Sequence, residues 1–99
     1  MKPKTLLVLT FIRDFVFALP EVSEQLCFDT PAFYVRKKLF ARVKEGEEEL
    51  VVYTMERDKW MQLDPLTFYI TPHYLNYNYI LVHLERVEPE VLKELLLMD

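Results

Sequence analysis

The apolar positions of the first twenty residues recur at three- and four-residue steps: Val8, Phe11, Ile12, Phe15, Val16 and Leu19. This spacing predicts an amphipathic helix over 5–19, with Thr10, Arg13 and Asp14 on its other side. Pro20 ends it, because the residue before a proline avoids the helical region. The pattern then breaks into short runs of strand character. Glu24 to Phe28 is weakly patterned. Ala32 to Arg36 and Leu39 to Val43 carry the aromatic and β-branched residues that suit a pleated surface. Arg36-Lys37-Lys38 falls between them as a hairpin tip without an Asn-Gly or Asp-Gly signal. Gly46 marks a second turn over 44–48, and Leu50 to Tyr53 follows as the third strand of the meander.

Thr54 is suited to cap a helix over Met55 to Leu63, with Glu56 in its first turn, Trp60 and Leu63 facing inward and Asp64-Pro65 at its close. Phe68 to Thr71 reads as a strand stopped by Pro72. Tyr79 to Glu85 alternates most cleanly. Ile80, Val82 and Leu84 share one face, and Tyr79, Leu81, His83 and Glu85 the other. Pro89 opens a last helix whose stripe is Val91, Leu92, Leu95 and Leu96. Strands joined by short turns, with helices before, between and after them, predict an α+β domain. Its antiparallel β-sheet has helices packed on one face, in a single domain over 1–99.

Composition narrows the function. A chain of 99 residues that is 52% hydrophobic and 14% aromatic has material for one core and does not read as disordered. Its one glycine, Gly46, excludes the glycine-rich phosphate loops. A lone cysteine, Cys27, excludes an internal disulfide and a thiolate zinc site, and points to a reducing cytoplasm. No base accompanies Cys27 for nucleophilic catalysis, and such a strand cysteine usually serves as a small hydrophobe. Lys2 and Lys4 before Leu6-Leu7-Val8-Leu9 imitate a signal peptide. Arg13 and Asp14 interrupt that run, and it falls far short of the roughly 18 apolar residues of a membrane span, so no membrane association is expected.

The net charge of −4 weighs against a dedicated nucleic-acid binder. The total hides a separation of sign. Arg36, Lys37, Lys38, Arg42 and Lys44 fall within 36–44 without an acid, and Glu45, Glu47, Glu48 and Glu49 follow at once. On one reading Arg36, Lys37 and Lys38 form a tip against phosphates, with Arg42 and Lys44 along the strand. Binding would then be weak and salt-dependent. On the other the hairpin is solvated and its lysines block edge-to-edge pairing.

The stretch Tyr69 to Leu84 holds four tyrosines and both histidines, and no charged residue lies between Pro65 and Leu84. These rings divide between core and a cover for the open sheet face. An exposed subset, Tyr74, Tyr77 and Tyr79 with His83, is a candidate surface for a protein partner or a second copy. His73 and His83, with Glu85 as a conceivable third ligand, fall short of the zinc spacings. No metal, cofactor or catalytic constellation is expected.

Four segments in order carry a resemblance: "LPEV" at 19–22, "TPAFYVRKKLFARV" at 30–43, "TPHYLNYNYILVHL" at 71–84 and "VEPEVLKELL" at 87–96. Together they resemble the MmcQ/YjbR family over nearly the whole chain. The resemblance implies a CyaY/YjbR-like fold, similar to that of frataxin. It also implies a DNA-binding-like role through a "double wing" arrangement, which is an analogy of shape. The iron chemistry of frataxin-like folds does not transfer. It needs clustered carboxylates on the first helix and strand, where this chain offers Asp14, Glu21 and Glu24. Similar members carry glycine before the hairpin lysine. Here Lys37 precedes Lys38, which makes the tip more basic and leaves its turn type open.

Overall fold

A computed structural model describes residues 2–97. Within them the chain forms three α-helices, one 3₁₀ turn and six strands. Pro3 opens α1 (Pro3–Val16), at the position where its missing N–H leaves no bond unmade. Thr5, Leu9, Ile12 and Val16 form the buried stripe. The helix ends at Val16, short of the expected Leu19. Pro20 bars Leu19 from helical geometry, and the chain turns with the Leu19 N–H donating to the Val16 carbonyl. Leu19 is left 41% exposed.

Four strands follow as a meander: β1 (Val22–Cys27), β2 (Thr30–Val35), β3 (Lys38–Val43) and β4 (Glu49–Tyr53). Then come α2 (Arg57–Leu63), β5 (Phe68–Tyr69), the 3₁₀ turn Pro72–Tyr74, β6 (Tyr79–His83) and α3 (Pro89–Leu97). β6 inserts between β4 and β5, giving the order β1-β2-β3-β4-β6-β5 with every neighbour antiparallel. The hairpin turns are tight although they lack glycine. Phe28 and Asp29 have φ of 53° and 65°, and Arg36 and Lys37 have 50° and 71°. Positive φ at both central residues is the type I′ geometry that matches strand twist.

One face of the sheet is covered by the helices. Phe33, Ala41, Val43, Leu50, Val52, Phe68, Ile80 and Val82 meet Leu9, Ile12 and Val16 of α1, Trp60 of α2 and Leu92, Leu95 and Leu96 of α3. Phe40 joins this side through a β-bulge opposite Phe33 and Tyr34, which breaks the alternation of β3.

Other local expectations change too, and the strand expected over Phe68 to Thr71 ends at Tyr69. α2 begins at Arg57 rather than Met55, and the Thr54 hydroxyl accepts the Glu56 N–H in a turn before the helix. Leu63 faces solvent at 63% exposure, while Trp60 is buried and Met61 packs against the core. β6 ends at His83, whose carbonyl accepts the Arg86 and Val87 N–H groups. Glu85 therefore lies in a turn and does not share a strand face with His83.

Candidate functional site

The face of the sheet away from the helices carries Tyr53 and Val51 of β4, Tyr79, Leu81 and His83 of β6, Arg42 of β3 and Ala32 of β2. This follows from the register Ala32–Arg42–Val51–Leu81 and Tyr53–Tyr79, and from strand alternation. It is not a bare face. Ala32, Val51 and Leu81 are at most 1% exposed although no helix lies over them.

Arg57 fixes the segment that precedes β6. Its guanidinium donates to the carbonyls of Tyr74 at 2.7 Å, Tyr77 at 2.6 Å, Leu75 at 3.0 Å and Tyr79 at 3.5 Å. The Thr54 N–H adds a bond to the Asn78 carbonyl at 2.9 Å. A loop without regular structure must satisfy its carbonyls elsewhere, and one planar five-donor group meets four of them. Sequence reasoning missed Arg57, because its partners lie far along the chain and no local spacing signals them.

The rings held by this anchor form a continuous row. Lys38 Nζ lies 3.7 Å from the centre of the Tyr53 ring. Tyr53 meets Tyr79 edge-on at 5.6 Å, Tyr79 lies 6.3 Å from Tyr74, and Tyr74 meets His73 edge-on at 4.8 Å. His73 lies 6.4 Å from Tyr77, which is 57% exposed. Tyr79 donates its hydroxyl to the Leu39 carbonyl at 2.9 Å, so its ring is tied to the basic hairpin. Burial raises its phenol pKa, partly opposed by the Lys38 charge. An open cleft of about 350 Å³ beyond β4 is lined by Met55, Glu56, Arg57, Asp58, Lys59 and Asn78, so acidic and basic side chains share it.

The five basic residues of 36–44 do not form one cluster. Arg36 is ion-paired with Glu21 through its Nε. Arg42 is a correction to the expected set: it is 7% exposed and so not available to an approaching phosphate. Its guanidinium donates to Glu45 at 2.7 Å and to the Tyr74 hydroxyl at 3.4 Å, and lies 5.4 Å from the Phe28 ring. Burial works against the Arg42 charge, and the bonds to Glu45 and Tyr74 outweigh it to raise the pKa. The Glu45 carboxyl is lowered by the same pair. The physical cause is alternation. Arg42 pairs with Ala32 on one side and Val51 on the other, and so points onto the covered part of the open face. Lys37 and Lys38 remain exposed at the β2–β3 tip. Lys44 lies at the opposite end of β3, about 20 Å away at strand rise.

Of the four candidate partner residues, Tyr74, Tyr77 and Tyr79 are brought together. His83 lies at the far end of β6, opposite Glu49. Its Nδ1 is buried without a hydrogen-bond partner among the described residues. Among those residues no three His, Cys, Asp or Glu side chains converge on a metal arrangement, and no helix is long and apolar enough to cross a membrane.

A family model described as YjbR matches residues 17–98. The chain belongs to the YjbR family. The match takes in the sheet, the tyrosine loop, α2 and α3, and leaves α1 outside it. No curated protein and no solved structure matches the chain.

Proposed function

We propose that this YjbR-family domain is a non-catalytic module that binds nucleic acid on the open sheet face, at the end marked by Lys37 and Lys38. The observation that carries the reading is the juxtaposition of Lys38 with Tyr53, at the head of the row Tyr53–Tyr79–Tyr74. Ammonium groups beside flat rings are what a single strand needs, phosphates meeting cations while unpaired bases stack. The acidic turn 44–48 lies at the other end of β3 from Lys37 and Lys38. Lys37 holds a left-handed φ of 71°, where glycine is least strained, and its placement there favours use of its charge. With Lys37 and Lys38 as the tip cations outside the Arg36–Glu21 ion pair, the module suits a single strand better than a duplex. The lone Cys27 supports the cytoplasm as its compartment.

The test is fluorescence anisotropy of a labelled single strand and a labelled duplex, from low to physiological salt. The single strand binds more tightly. Its affinity falls log-linearly with salt, with a slope near −1.4 if about two phosphates are contacted. Lys37→Glu with Lys38→Glu weakens it at least about tenfold. Failure to bind at low salt overturns the reading. A preference for duplex moves the site away from the rings.

A second reading, a protein-interaction module on the same face, is favoured by the exposure of Tyr77 at 57% and Leu75 at 60% on a loop already held in place by Arg57. It predicts that Tyr77→Ala weakens association with a protein partner at unchanged thermal stability. Partner capture unaffected by that change would remove this reading.

A further inference from the structure

The two edges of the sheet differ. β5 is a two-residue strand, too short to template another chain. β1 is six residues long and carries neither lysine nor proline, the usual guards of an exposed edge. Which of its backbone groups are free follows from the hairpin. Cys27 pairs with Thr30 across a two-residue turn, and the Arg36 N–H donates to the Glu21 carbonyl. Glu21, Ser23, Gln25 and Cys27 therefore exchange bonds with β2, and the N–H and C=O groups of Val22, Glu24 and Leu26 point outward.

The surroundings of this edge are self-complementary. Glu24, midway along β1, receives two bonds from Arg13 of α1, at 2.8 Å to Nε and 2.6 Å to Nη2. Arg13 thus brings one stripe of α1 to the edge. At helical spacing Leu6, Thr10 and Phe17 share that stripe. Leu6 is 50% exposed, Phe17 47% and Leu26 71%. A charged pair sits at the middle of the edge, with the apolar Leu26 exposed beyond it.

We propose that β1 is the interface of a homodimer, pairing antiparallel with the β1 of a second copy about a two-fold axis at Glu24. In this register Val22 lies opposite Leu26 of the second copy, and the outward groups of Val22, Glu24 and Leu26 meet their counterparts. The two Glu24 carboxylates meet at the axis. Each keeps the two bonds from its own Arg13, which offset the repulsion between the two like charges. An isologous contact requires this self-complementarity. The sheets continue across the axis, and both tyrosine-rich faces fall on the same side. A long ligand would then be held at two points. The dimer does not depend on the nature of that ligand.

Sedimentation of the full chain over a broad concentration series, with hydrogen exchange at low and high concentration, tests the proposal. The expected result is a monomer–dimer equilibrium in which the Val22, Glu24 and Leu26 amides gain protection with concentration. The Ser23, Gln25 and Cys27 amides stay protected throughout. Leu26→Pro removes one outward N–H, Leu26→Lys guards the edge with charge, and each weakens dimerisation at least about tenfold with the monomer fold retained. A monomer at every concentration overturns the proposal. So does a dimer whose β1 amides stay unprotected, or one indifferent to both substitutions.

Discussion

Ile80 and Leu81 are neighbours in β6, and both are fully buried, yet they are buried by different means. Ile80 enters the aliphatic core between the sheet and the helices. Leu81 lies on the opposite face, outside the helix-covered core and in register with Val51 and Arg42, whose guanidinium donates to Tyr74 of the loop. The loop is held by hydrogen bonds from Arg57, and its His73 and Tyr74 rings meet edge to face. One face is closed by hydrophobic area, which is insensitive to direction. The other is closed by a few directional polar bonds, which fix one arrangement of side chains. A surface of the second kind is ordered before a ligand arrives, and the loss of binding entropy on contact is smaller.

The largest effect should separate the two faces directly. Ile80→Ala leaves a cavity among side chains that cannot close in, and should cost about 3–5 kcal/mol. Leu81→Ala lies on the loop's side of the sheet, where the chain can settle toward the gap, and should cost about 2–3 kcal/mol. Chemical denaturation of the two variants checks this, and equal losses would mean that the loop is as rigid a wall as the helices.

Next in size is Arg57→Ala, which strips the loop carbonyls of their shared donor. About 1.5–3 kcal/mol of stability should go with it, the range for hydrogen bonds from a charged group. The more telling readout is local: amide exchange over 72–79 should quicken, while β2 and β3 keep their protection. Uniform exchange changes would instead make Arg57 a support of the whole fold. Ligand binding at the tyrosine row should weaken in parallel with the loop.

The smallest effect concerns the ion pair beneath the loop. Because the Arg42 bond lowers the Glu45 carboxyl below its ordinary value of 4.5, the contribution is full above that pH. It disappears as pH falls through the lowered folded value. Glu45 is 57% exposed, so the contribution is a few tenths of a kcal/mol. Arg42→Met should keep an apolar stem in place while removing the guanidinium and with it the pair. Its thermal midpoint should then fall less than that of the wild type between about pH 5 and 3. Parallel acid curves would show that the pair contributes nothing measurable.

The elements were legible in the sequence wherever a period survived local exceptions. The alternation of Tyr79 to His83 and the stripes of α1 and α3 could be read directly, because side-chain periodicity follows from backbone geometry alone. The resemblance in four ordered segments led to the YjbR family, which the match over 17–98 bears out. The site was half legible. Tyr74, Tyr77 and Tyr79 do meet, but Tyr53 was not associated with them, and Arg42, grouped with the tip cations, is buried against Glu45 and Tyr74.

By itself, then, the sequence determined the helices, the strands, the antiparallel sheet and which residues of β6 face the core. Each depends on near neighbours in the chain and on the sorting of apolar from polar side chains. The tertiary structure alone decided that β6 lies between β4 and β5, that Arg57 reaches carbonyls 17 to 22 residues away, and that Arg42 is buried against Glu45 and Tyr74. Those outcomes turn on where a charged group finds partners once the chain is compact. The need to satisfy a guanidinium or a loop carbonyl leaves no periodic trace along the sequence.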